Sequence, residues 1–251
     1  MKYSLVRDTP DPRDLQYSQH LGADLSQIPR KADLRPFCSP IEDQGQTNSC
    51  TGHAIVAAME CDLNIQKEQP IRLSRLFVYY NERELEGTVG QDGGAEIRDG
   101  IKQIATYGAC NETLWPFDPN KITTKPGLEA YEDGLKHKAV RYEAVEQSLD
   151  ALLHCLGMNQ RPVVFGLMLY DSFESDAVAQ SGIVPMPHLW GEQCLGGHAL
   201  CIVGYDMDTQ QFLIRNSWGT DWGQQGYFWA PFTYILDPRL AMDFWTVVAI
   251  D

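Results

Sequence analysis

Apolar residues recur in two different rhythms along this 251-residue chain. After Cys50, Ala54, Ala58, Cys61 and Ile65 return every three or four positions, as do Ile97, Ile101, Ile104 and Ala105 before Gly108. That spacing predicts two helices, the second stopped by its glycine. Beyond about residue 160 the period shortens. Residues 162–169, 199–205, 211–216 and 226–230 read as strands, with Asp206-Met207-Asp208 as a hairpin loop between two of them. A helical first half and a β second half make an α+β protein. Residues 120–127, with two Thr, two Lys and a Pro, form the expected interlobe or surface loop, and no internal repeat or low-complexity tract interrupts the pattern.

Composition narrows the classes. A hydrophobic fraction of 43% supplies a sizeable core, arranged as one large domain or two intimate lobes. No run approaches the ~18 apolar residues of a membrane helix; the most apolar runs, such as 163–169 and 199–204, have strand length. A formal charge of −14, with no basic patch in view, argues against a nucleic-acid partner. No membrane partner and a monomeric state are expected. Residues 1–8 lack the apolar core of a signal peptide, so a cytoplasmic location is the default expectation, with leaderless export as the alternative. Thr9-Pro10-Asp11-Pro12 should be extended, because each proline fixes its own φ and biases its predecessor away from helix.

Seven cysteines, at 38, 50, 61, 110, 155, 194 and 201, contain no C-x-x-C pair, and the odd count leaves at least one thiol unpaired. Cys50 stands apart because it opens a predicted helix, where the dipole favours thiolate over thiol. A nucleophilic thiol needs a proton acceptor held in one orientation. Gly196-Gly197-His198-Ala199 supplies His198, and Arg215-Asn216-Ser217-Trp218-Gly219 supplies Asn216. The bland reading of Cys50 alone is a buried structural thiol; it weakens once Gln44, His198, Asn216 and Trp218 must all coincide. His53, one helical turn after Cys50, reads more readily as a hydrogen-bonded helix residue than as a group tuning the site. Cys194 with His198 falls short of a zinc ligand set, and Asp92-Gly93-Gly94, a hint of calcium, is commonplace in turns. No metal and no organic cofactor are expected.

These motifs, with Gln44-Gly45 before Cys50, Ser181-Gly182-Ile183, and the block Asn216-Ser217-Trp218-Gly219-x-x-Trp222-Gly223-x-x-Gly226-Tyr227, resemble the papain-like cysteine protease family, in a compact bacterial-type branch with a short N-terminal segment. The resemblance runs over residues 28–251. It implies a helical lobe, mainly 40–130, facing an antiparallel β-barrel-like lobe, mainly 135–251, with the active-site cleft between them. It implies Cys50 as nucleophile, His198 as general base and acid, Asn216 as orienter of the imidazole and Trp218 as shield of their hydrogen bond. Gln44 would donate to the oxyanion together with the Cys50 N–H. Gly93, Gly94 and Gly197 would border the substrate chain, and Ala95, Glu96, Gly166 and Ala199 would wall a roomy side-chain pocket that Glu96 extends to basic groups. Thr47 and Thr51 stand where the family has a cysteine and an aromatic, so a family disulfide is missing. The implied partner is a peptide or protein substrate. Residues 1–27 precede the catalytic unit, either as a short blocking segment of a zymogen, or as an arm on the back of the domain or a frayed tail. Two rivals keep the fold: a catalytically idle peptide-binding protein, and a thiol enzyme transferring its acyl group to an amine or thiol.

Overall fold

The computed structural model describes residues 3–17, 27–67 and 70–250, with the backbone alone at 67, 249 and 250. Seven strands form one sheet: β1 (Lys31–Asp33), β2 (Lys138–Ala144), β3 (Val163–Tyr170), β4 (Cys194–Asp206), β5 (Gln211–Arg215), β6 (Tyr227–Pro231) and β7 (Ala241–Ile250). Their order is β2-β7-β3-β4-β5-β6, every pair antiparallel, with β1 added to β4. β4 is longer than its apolar run predicts. Cys194 to Gly197 pair with Tyr170 to Met168 across a bulge, which carries His198 into the sheet opposite Leu167.

Among the described residues seven α-helices accompany the sheet: α1 (Cys50–Lys67), α2 (Arg75–Glu86), α3 (Ile97–Thr106), α4 (Leu128–Gly134), α5 (Leu149–Gly157), α6 (Asp176–Ser181) and α7 (Phe232–Ile235). The first two pack closely. A Cβ on Gly52 of α1 would stand 2.7 Å from Arg75 O of α2, so a side chain there would force the helices apart. α1 is buried from Cys50 through Leu63, which explains its run of small and apolar residues on all faces. α2 escaped the periodicity reading because Arg75, Asn81, Glu82 and Arg83 are buried on it among the apolar residues. Its boundaries were nonetheless written locally. Ser74 caps its start by accepting from Phe77 N at 3.0 Å, and Gly87 ends it at φ 71°.

A buried ion pair ties α1 to α2. The Glu60 carboxylate is held by Arg75 Nη2 at 2.6 Å and Nη1 at 2.9 Å, and it also accepts from Leu73 N at 2.7 Å and from the Ser39 hydroxyl. Both side chains are essentially fully buried, and every lone-pair direction is used, the condition under which such a pair is tolerated. The 120–127 loop belongs to the helical side. Ile122 is buried against Leu76 and Tyr79, and its carbonyl accepts from Arg83.

Candidate active site

Residues 44–50 reach α1 through a loop held from three sides. Asn48 N donates to both Asp92 carboxylate oxygens at 3.0 and 3.1 Å, and Tyr79 OH donates to Asp92 Oδ1 at 2.6 Å. Asp92 therefore braces the cysteine loop, and the calcium hint at Asp92-Gly93-Gly94 has a structural explanation instead. Gln44 is locked at both ends of its amide. Ser217 Oγ donates to Oε1 at 2.6 Å, and Nε2 donates to Thr47 O at 2.8 Å, leaving its second N–H for another acceptor.

Cys50 is the first residue of α1. Across from it, His198 on β4 meets Asn216 just beyond β5: Nε2 donates to Asn216 Oδ1 at 2.9 Å, which also accepts from Ser217 N at 2.8 Å. The Trp218 ring stacks on the imidazole with centroids 5.2 Å apart. Trp218 is itself wedged against Phe173 and Trp222 in edge contacts, so one aromatic cluster covers the His–Asn bond. Thr51, in place of an aromatic, donates its hydroxyl to the buried carboxyl of Glu82.

The charge state departs from the sequence-based expectation. Burial pushes the Cys50 thiol up to about 12, against backbone N–H groups of Ala199, Thr51 and Cys50 itself that favour the anion. Burial likewise takes the His198 imidazole down to about 4, against its bond to Asn216. The helix terminus is present, yet desolvation outweighs it, and the thiol's own hydrogen bond is a long one, 4.0 Å, to Asn48 O. In this arrangement burial opposes a charge on either partner.

What covers them is the segment 3–9. The Tyr3 ring stands edge-on to His198 and tilted to Trp218, 6.1 Å from each, with its hydroxyl on Glu174. Leu5 N donates to Gly197 O at 3.2 Å, and Val6 N to Ala95 O at 3.3 Å. Glycine is required for this approach. A Cβ on Gly94, at φ 80°, would lie 2.1 Å from Ser4 O, and one on Gly196, at φ 129°, 2.5 Å from Tyr3 O. The Leu5 side chain lies over Gly166 and Gly197, with Met242 of β7 beside Gly166. Ala199 is buried and pairs with Gly166 in the sheet. Gly93 is exposed and stands clear of the segment. Glu96 accepts from Thr9 N at 3.2 Å and Thr9 Oγ1 at 3.4 Å, beside Val6.

Further along, residues 8–17 run over the outside of the sheet. Asp8 accepts from Arg98 N at 3.0 Å and Trp245 Nε1 at 2.7 Å; Arg98 pairs with Asp11 and Asp14 at 2.6 and 2.8 Å. Ala144 N donates to Leu15 O, and Tyr17 is fully buried with its hydroxyl 2.8 Å from His154 Nδ1. Residues 3–9 thus lie against His198, Gly197 and Gly94, and residues 8–17 run on over the sheet, while residues 1–2 and 18–26 lie outside the described residues.

Sequence reasoning missed Met242, Phe173 and the lock of Ser217 on Gln44. Met242 had a signal, the β-branched and aromatic run Ala-Met-Asp-Phe-Trp-Thr-Val-Val-Ala-Ile of β7. The other two are contacts across the fold and carry no local pattern. All the described cysteines are free. Among the described residues no helix is long and apolar enough to cross a membrane.

A model of the papain family of cysteine proteases matches residues 28–232. An uncharacterised peptidase C1-like protein of Acanthamoeba polyphaga mimivirus is 41% identical over 213 residues, 82% of this chain and 68% of that protein. A cathepsin B-like protein of Giardia intestinalis is 30% identical, over 80% of this chain and 67% of its own. Among solved structures, xylellain, a cysteine protease from Xylella fastidiosa, superposes with TM-score 0.88 at 37% identity, covering 98% of this chain and 95% of that one. Geometry, family model and relatives agree, and this chain belongs to the papain family of cysteine proteases.

Proposed function

We propose that this cysteine peptidase uses Cys50 as its nucleophile, with His198 as base and then acid and Asn216 as the group that orients the imidazole. The observation that carries the reading is the His198 Nε2–Asn216 Oδ1 bond of 2.9 Å, roofed by Trp218, opposite a cysteine at the first position of a buried helix. With Nε2 committed to Asn216, Nδ1 is the imidazole nitrogen left to exchange a proton with sulfur. The thiolate attacks a peptide carbonyl, and the tetrahedral oxyanion takes hydrogen bonds from the Cys50 N–H and the second N–H of Gln44. Each such donor is worth roughly 3 kcal/mol in acyl transfer. His198 protonates the leaving amine; water, deprotonated by the same imidazole, then releases the acyl group from sulfur. The surface of Gly166, Gly197 and Met242 that receives Leu5 favours a branched apolar side chain in an internal peptide, as an endopeptidase would take. Glu96, occupied by Thr9, offers less to a basic one.

Residues 3–9 act in this reading as the blocking segment of a zymogen. Their support is direct occupancy: backbone bonds to Gly197 and Ala95, an apolar side chain over Gly166, and an aromatic ring against the imidazole. Deleting residues 1–27 is a poor test, because it also removes the buried Tyr17. Leu5→Asp in the full chain keeps that anchor. Labelling by an epoxide-type thiol inactivator should be faster in Leu5→Asp than in the wild type and should vanish in Cys50→Ala. Equal rates in the wild type and Leu5→Asp would remove the block. Absence of hydrolysis without an added amine or thiol acceptor would favour acyl transfer, and a folded protein that never labels at Cys50 would favour an idle binding protein.

A further inference from the structure

Behind the His198–Asn216 bond, on the side away from the cleft, three buried polar atoms have no partner: Asn216 Nδ2, His53 Nε2 and Arg75 Nε. Their residues are 3%, 4% and 1% exposed, so bulk solvent does not serve them. All three residues line the same cavity, between α1, α2 and the β4–β5 end of the sheet, with about 10 Å³ of room for a water molecule's centre. One water needs about that much space and two to four polar partners.

The chemistry of the three atoms is complementary through a single water. Asn216 Oδ1 is spent on His198 and Ser217 N, so Nδ2 is a donor seeking an acceptor. Arg75 Nη1 donates to Glu60 and Leu73 O and Nη2 to Glu60, and Nε is a second donor seeking an acceptor. His53 Nδ1 lies 2.9 Å from Ser49 O, which can only accept; Nδ1 therefore carries the proton and Nε2 presents a bare lone pair. Burial and the charge of Arg75 keep this imidazole neutral, down at about 3.

We propose that a buried water at this site accepts from Asn216 Nδ2 and Arg75 Nε and donates to His53 Nε2, making His53 a positioning residue for Asn216. A carboxamide can turn over, and the turned form would set Nδ2 against the Nε2–H of His198, donor against donor. The water holds Nδ2 inward and so keeps Oδ1 on the imidazole. This inference rests on the role proposed for Asn216, and the test separates the two.

The test combines a high-resolution crystal structure of the wild-type chain with kinetics on a peptidyl amide, every kinetic variant carrying Leu5→Asp to open the cleft. His53→Phe keeps a flat ring but removes the lone pair; His53→Gln returns an oxygen acceptor. A water within hydrogen-bond distance of the three atoms is expected. His53→Phe should lower kcat about tenfold with KM unchanged, the scale on which a misplaced catalytic group is felt, and His53→Gln should recover most of it. A dry cavity overturns the proposal. So do equal losses in both variants, which would mean that the ring matters only for packing. Should His53→Phe fail to fold, the wild-type water and an active His53→Gln still support the proposal, and an inactive, folded His53→Gln overturns it. Asn216→Ala is the control: if it keeps full kcat, the role of Asn216 fails first and this inference with it. If Asn216→Ala loses activity while His53→Phe does not, only the inference fails.

Discussion

At the scale of single residues, the two most informative thiols have opposite environments. Cys50 is covered and pushed up to about 12. Cys38, half-buried just after a short turn, is drawn below the ordinary thiol range by a hydrogen bond from the Cys61 thiol and by the charge of Arg215, against its own burial. Iodoacetamide at pH 8 should therefore alkylate Cys38 before Cys50 in the full-length wild type, as peptide mapping would read; Cys50 labelling first would mean that its thiol is not covered. His198→Ala should lower kcat by about 10³-fold or more, the scale on which nucleophile–base pairs fail together. Which residues meet at the site was legible in the chain, because Cys50, His198 and Asn216 sit in short motifs with few other uses. Their protonation was not. It depends on burial, which the fold imposes and to which Tyr3 against His198 belongs, and on Glu82, whose charge opposes the thiolate.

At the scale of elements, the segment of residues 3–17 carries its own response to pH. Burial raises the Asp8 carboxyl to about 7, assisted by the charge of Asp243 and, less, of Glu96, and opposed by the bonds from Arg98 N and Trp245 Nε1. A group whose pKa is higher docked than free holds the segment best when protonated. Docking is therefore strongest below the free carboxyl's value near 3.8 and weakens as pH rises through about 7. Hydrogen exchange of the Leu5 and Val6 amides should quicken over that window beyond the intrinsic pH trend, and Asp8→Asn should flatten the excess; a wild-type profile that follows the intrinsic trend alone would contradict this. Helices α1 and α3 and strands β3 to β6 were readable from periodicity, since each shows one apolar face or a continuous buried run. α2 and β2 were not. The first hides charged residues in the interior, and the second, at the sheet edge with Val140 and Arg141 both exposed in succession, lacks a clean alternation.

At the scale of the whole molecule, stability leans on the Glu60–Arg75 pair, where α1, α2 and the loop at Ser39 meet. Glu60→Ala strands a buried guanidinium and should cost about 3–5 kcal/mol, measurable by urea unfolding; a loss under 1 kcal/mol would mean that water or Glu42 takes over the charge. A second whole-molecule property follows from Tyr17. Because the segment is moored there in the core and at Arg98 by Asp11 and Asp14, residues 3–9 are never farther from the cleft than a short tether allows. If residues 3–9 act as the block proposed above, their competition with substrate is set by an effective concentration, of order millimolar for short flexible links, and not by the amount of protein present. Diluting the protein would not relieve such a block. After a single cut in the exposed stretch around Pro10 to Arg13 it would, since the freed peptide must then hold on by its own few contacts while Tyr17 stays where it is. The same mooring that makes the closed form persistent would make its opening abrupt and, at low protein concentration, one-way.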